Sequence, residues 1–114
     1  MNSIVTEHKG ICIICGRQAE CEHHLVFGSA GRELSEKDGL KIPLCNNCHN
    51  MGEKLRRIHD NPMAERLSKM IGQLAWERDY LLADATGVCS EEEEKAMSEL
   101  VRNQFRNRYG ISYL

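Results

Sequence analysis

The apolar positions of this chain change rhythm near its middle: in the first half they come in short runs broken by glycine, and from residue 61 they recur every three or four residues. That change predicts a small β-region followed by helices. Residues 11–16 read as a strand turning through a pair of cysteines, and residues 18–27 as a second short strand, so the two suggest a β-hairpin. Residues 28–39 hold three glycines, two serines and several charges with no period of 2 or 3.6, the pattern of a loop. Residues 40–44 look like a short buried strand, which Pro43 confines to an edge or an end. Residues 1–10 are polar and predict a flexible N-terminal arm.

Helical signals begin after residue 45. The stretch from Asn46 to about Ile58 predicts a short helix, and Asn61 followed by Pro62 is a strong start for the next one, an N-cap with proline at the first helical position. Met63, Leu67, Met70, Ile71 and Leu74 make one apolar stripe on that second helix, which is expected to run to about Leu82 and, with Trp76, to face the core. Asp84 to Gly87 would end it. Ser90 with Glu93 forms a capping box that turns the acidic run Glu91–Glu94 into a helix start. Met97, Leu100, Val101 and Phe105 give the last helix its apolar face, and Gly110 its stop.

The cysteines change this picture. Cys12/Cys15 and Cys45/Cys48 are two Cys-x-x-Cys pairs, each a tight turn able to present two sulfurs to one ion, and together they complete a tetrahedral structural zinc site. The 29 residues between the pairs exceed a usual ribbon spacing, and the insertion holds His23 and His24. Cys21 is near enough in sequence to compete as a ligand, but its odd spacing and its place in the strand favour a buried or incidental thiol, and Cys89, by a helix cap, reads as incidental. His8 reads as a surface residue. In a chain of 114 residues, one domain's worth, a metal clip adds useful stability. The start lacks the pattern of a secretory signal, no apolar run approaches a membrane span, and metal thiolates imply a reducing compartment, so a cytoplasmic location and no membrane partner are expected.

Adjacent histidines on a strand point to opposite faces, which suits two roles, a metal ligand and a base. With "CIIC", "EHHL", "GLKIPLCNNCH" in that order over residues 11–59, the chain resembles the HNH endonuclease family and its ββα-metal core. The resemblance implies an α+β fold, a zinc-stapled ββα-metal core at 11–59 with a helical extension at 61–114, in one domain spanning 11–114. It makes His24 the general base and His23 a ligand of a catalytic divalent metal, with His49 as its partner and His59, in "RRIHDNP", as a third ligand. Two or three imidazoles make Mn²⁺, Ni²⁺ or Zn²⁺ plausible occupants beside Mg²⁺, which prefers oxygen. The family's middle Asn is missing, since Gly39 stands in its place.

A nuclease needs a DNA partner, and a net charge of −2 looks wrong for one until it is divided. Residues 1–80 carry 11 Lys+Arg and 11 Asp+Glu, so the excess of acid lies in the C-terminal part. Lys54, Arg56 and Arg57 are the basic residues expected to meet phosphates, with Arg102, Arg106 and Arg108 as a second set. The resemblance therefore implies a metal-dependent DNA endonuclease or nickase, of the kind phages and prophages encode. Two other readings stay open: a non-catalytic zinc-ribbon module binding nucleic acid or protein, and a helical interaction protein that zinc merely stabilises. Oligomeric state is not legible from the pattern.

Overall fold

The computed structural model describes residues 1–83 and 90–114. The expected end of the second helix at Asp84 to Gly87, and Cys89, lie outside them. The order is β1 (Cys21–His24), α1 (Ser29–Asp38), β2 (Lys41–Leu44), a π-helical turn (Asn47–Met51), α2 (Pro62–Ala83) and α3 (Glu91–Tyr109). This is a small α+β fold, a two-stranded antiparallel sheet with helices. Among the described residues no helix is long and apolar enough to cross a membrane.

The strand pairing differs from the expected hairpin. β1 pairs with β2, with Cys21 opposite Leu44 and His24 opposite Lys41, while residues 11 and 18 meet only in an isolated bridge. Cys12 to Arg17 is instead spent on the tight turn of the first knuckle, with Cys12 N–H donating to the Arg17 carbonyl and Gly16 N–H to the Cys12 carbonyl. The knuckle then docks on the sheet, because Ile13 N–H reaches the Pro43 carbonyl at 3.0 Å. Pro43 is tolerated because each strand of a two-stranded sheet is an edge.

Residues 29–38, read as loop, form α1. The helix lacks an apolar stripe because polar tertiary contacts hold it. Buried Ser35 accepts from Val26 N–H and donates to the Val26 carbonyl, and Asp38 accepts from Trp76 Nε1, Arg108 and Tyr109 on α2 and α3. Gly39 closes it at φ 73°, and a Cβ there would run into the Asn2 carbonyl, so the position that the resemblance reserves for Asn admits only glycine. Residues 1–10 hold no regular element, but Ser3 Oγ donates to the Lys41 carbonyl at 2.6 Å, and Ile4 and Val5 pack on the core.

The helix expected from Asn46 to Ile58 is one turn long. The chain leaves it at Gly52 and doubles back, so that Ile58 N–H meets the Cys48 carbonyl and His59 N–H the His49 carbonyl at 3.0 Å. α2 begins at Pro62 as expected, with Asn61 Oδ1 accepting from Ala64 N–H. Its apolar stripe is the largest departure: Met63, Leu67, Ile71 and Leu74 face outward. The inner face is Ser68, Gly72, Gln73 and Glu77. Small and polar groups face inward because α2 lies close against residues 25 and 26, where a Cβ on Gly72 would sit 2.9 Å from Leu25 Cβ. Ser90 Oγ caps α3 by accepting from Glu93 N–H, and Val101 and Phe105 reach the interior, whereas Leu100 is exposed.

Candidate metal centres and the His24 cleft

Two clusters of metal-ligating side chains come together. Cys12, Cys15, Cys45 and Cys48 place their sulfurs within 4.8 Å of one another, with Cys15 Sγ 3.5 Å from Cys45 Sγ. A tetrahedral ion with metal–sulfur bonds of about 2.3 Å needs sulfurs about 3.8 Å apart, a value that lies between the shortest separation and the upper bound, so small adjustments suffice. The four cysteines thus fit a structural metal ion. Burial pushes the Cys12 thiol up, but backbone N–H groups of Cys15, Cys45 and Ile14 outweigh it and bring Cys12 to about 6, the thiolate form a metal requires. Cys48 is pushed the other way by burial and by hydrogen bonds with its fellow thiols.

The second cluster is His23, His49 and His59, again with ligand atoms within 4.8 Å of one another. β1 delivers His23, the π-helical turn His49, and the doubled-back chain His59. Two of the rings are held from behind by hydrogen bonds, and the third has a carboxylate nearby. Ser68 Oγ on α2 lies 2.8 Å from His23 Nε2 and spends its only proton on the Leu25 carbonyl, also at 2.8 Å. His23 Nε2–H is therefore the donor, and Nδ1 keeps the lone pair. Cys21 Sγ donates to the Leu44 carbonyl and accepts from His49 Nδ1 at 3.3 Å, which leaves His49 Nε2 as that ring's lone-pair nitrogen. Glu65 Oε2 stands 3.7 Å from His59 Nδ1. A hydrogen bond behind the imidazole, as His23 and His49 have, is what fixes metal-ligating histidines in tautomer and orientation, whereas Glu65 stands too far from His59 for a direct one. Burial first, then the neighbouring rings, lowers His23 to about 3, and the same causes lower His49, so both rings are neutral at ordinary pH, the form in which an imidazole can ligate.

Residues 5–77 match the family described as Protein of unknown function (DUF968). The chain belongs to that family. The DUF968 region contains every residue of both clusters together with Ser68 and Glu65, whereas α3 lies beyond it. No curated protein and no solved structure matches the chain.

His24 stands apart from the two clusters. Strand alternation separates its ring from that of His23, yet His23, His24, His49 and His59 line one cleft of about 340 Å³ together with Phe27 and Arg32. His24 Nε2 lies 2.8 Å from Glu36 Oε2. An ionised carboxylate only accepts, so Nε2 carries a hydrogen, and in the neutral ring Nδ1 holds the lone pair. Glu36 is itself pinned through Lys41 Nζ at 3.1 Å, and hydrogen bonds from His24 and Lys41 hold its carboxyl at about 2. Lys41 is buried opposite His24 in the sheet. Sequence reasoning missed Glu36, Lys41, Ser68 and Arg32. Only the lack of an orienting group at Gly39 signalled that some other residue had to take that part.

The basic residues expected to meet phosphate are divided. Lys54 and Arg56 are exposed, Arg56 lying 4.0 Å from Glu53. Arg57 is committed to its own loop, donating to the His59 and Gly52 carbonyls and to Asp60, and so positions His59 instead of offering a free guanidinium. In the second set Arg102 pairs with Glu77, Arg106 with Asn103 and Arg108 with Asp38.

Proposed function

We propose that this chain is a metal-dependent HNH-like DNA endonuclease or nickase. One observation carries the reading: His24, its ring held by a carboxylate through Nε2, opens onto the same cleft as three imidazoles at metal-ligating distance. His23, His49 and His59 would hold a divalent cation, and such an ion supplies positive charge beside a phosphodiester as negative charge develops on it. The ligand set, nitrogen only, suits Mn²⁺, Ni²⁺ or Zn²⁺ better than Mg²⁺. Cys12, Cys15, Cys45 and Cys48 would hold a structural zinc that keeps the first knuckle on the sheet.

The protein's own groups divide the work. His24 accepts the proton of the attacking water at Nδ1, and Glu36 fixes the ring and offsets the positive charge the ring acquires. Lys41 keeps Glu36 ionised and in place. Arg32, on the rim of the cleft, is the cation best placed to meet a phosphate oxygen.

The test is cleavage of supercoiled plasmid with Mg²⁺, Mn²⁺, Ni²⁺, Zn²⁺ or no added metal, run beside His24→Ala. Metal-dependent nicking that falls by about 10²- to 10⁴-fold in the variant, with metal content and fold unchanged, is the expected outcome. A variant that cleaves as well as wild type removes the assignment of His24. The non-catalytic binding module has one observation in its favour, the commitment of Arg57, Arg102, Arg106 and Arg108 to partners within the chain. Absence of cleavage with every metal would move the reading there.

A further inference from the structure

The outward face of α2 is more apolar than its inward one. At 100° per residue Met63, Leu67, Ile71, Leu74, Arg78 and Leu82 fall within one strip about 100° wide, and all but Arg78 are apolar. Met63 is 72% exposed, Leu67 48%, Ile71 49%, Leu74 54% and Leu82 59%. Among the described residues nothing covers them.

The spacing along the strip is a palindrome. Successive intervals from Met63 to Leu82 are 4, 4, 3, 4 and 4 residues, with the midpoint between Gly72 and Gln73. A helix face that reads the same in both directions is complementary to itself when two copies run antiparallel, the requirement for an isologous two-fold interface. In that pairing Ile71 meets Leu74 of the second copy at the centre, and Met63 meets Leu82 at each end. Leu67 lies under the aliphatic stem of Arg78, whose charged head reaches the rim. The area agrees. These five side chains expose on the order of 500 Å² in one copy, at the upper end of what a monomer leaves uncovered, and about 1,000 Å² in two, the size at which specific interfaces begin.

We propose that the outer face of α2 is the interface of an antiparallel, two-fold homodimer. The occupant is a second copy of this chain, because an unrelated helix would have no reason to find a palindromic strip. The proposal is independent of whether the chain cuts DNA.

Sedimentation equilibrium and light scattering on the full chain, loaded with metal, test it. The expected species has twice the 13.0 kDa of the chain and dissociates on dilution. Ile71→Glu alone and Leu74→Lys alone should each give a monomer with an unchanged far-ultraviolet spectrum, since both positions are exposed. Mixing the two variants should restore a dimer, because only the antiparallel register sets residue 71 of one copy against residue 74 of the other. A wild-type chain that stays at 13.0 kDa across the micromolar range overturns the proposal, as does a dimer that Ile71→Glu leaves intact. A mixture that remains monomeric overturns the register.

Discussion

Replacing Ser68 by Ala removes one hydroxyl from the inner face of α2 and reaches both the fold and the His23–His49–His59 cluster. Ser68 is 4% exposed and His23 1% exposed, and the hydroxyl joins His23 Nε2–H to the Leu25 carbonyl through two bonds of 2.8 Å. Without it a buried imidazole N–H has no partner, at a cost of about 1–3 kcal/mol, and the bond to the carbonyl is lost as well. The better helix propensity of Ala returns about 0.5 kcal/mol. The net loss is therefore about 2 kcal/mol, a melting point lower by roughly 10 °C for a domain of this size. The local effect is more telling. His23 loses the group that fixes its tautomer, so metal affinity at the three histidines should fall about 10- to 100-fold, while the four cysteines, which Ser68 does not touch, keep their ion. Thermal melts and calorimetric titration with Ni²⁺ measure the two effects separately. An unchanged Ni²⁺ affinity, or a loss of metal from the cysteine cluster equal to that at the histidines, would refute the argument.

Cys45→Ala should lose one bound metal by intact mass and unfold the domain, because the binding free energy of such a site is folding free energy; identical melts with and without chelator would contradict this. Stability should also fall in acid. His23 holds about 3 in the fold against an ordinary 6.5, so below 6.5 the unfolded chain takes up a proton that the folded one refuses. The contribution is complete above 6.5 and lost as pH drops towards 3, up to roughly 5 kcal/mol without metal at the three histidines. Glu36, held at about 2, loses its contribution in the same direction at lower pH. Urea midpoints for wild type and His23→Asn should converge between pH 7 and pH 4; parallel curves would show that His23 is not the sensor. Asp38→Ala removes the acceptor shared by Trp76, Arg108 and Tyr109, and should cost about 2–3 kcal/mol in urea unfolding. Arg108→Ala, whose side chain is 37% exposed, should cost under about 1 kcal/mol, and the reverse order would overturn this account of how α1 is held.

Local signals read well where local chemistry decides. The N-caps at Asn61 and Ser90, the Cys-x-x-Cys knuckles, the start of α2 and the bounds of α3 were legible because each depends on residues within one turn of one another. α1 was not, since its stability comes from Val26, Lys41, Trp76 and Arg108, residues far apart in the chain that no periodicity registers. The stripe on α2 misled because an apolar face predicts burial without saying against what, and within one copy the inner face is occupied by Ser68, Gly72 and Gln73. His59 was named only through the resemblance; the fold of residues 52–58 that returns it to His49 rests on backbone hydrogen bonds and on the Arg57 side chain, whose partners no local pattern announces.

By itself the sequence determined the candidate ligands: four thiols in two tight turns, histidines placed between and after them, and helices beyond. The tertiary structure alone decided how they are held. It set Ser68, Cys21 and Glu65 behind the three imidazoles, put Glu36 on His24 where Gly39 leaves no side chain, and turned Arg57 inward. The division has one physical cause. A ligand is chosen by its own chemistry and so shows in its residue type, whereas an orienting group is any donor or acceptor that packing brings within about 3 Å, and its partner is fixed only once the chain has folded.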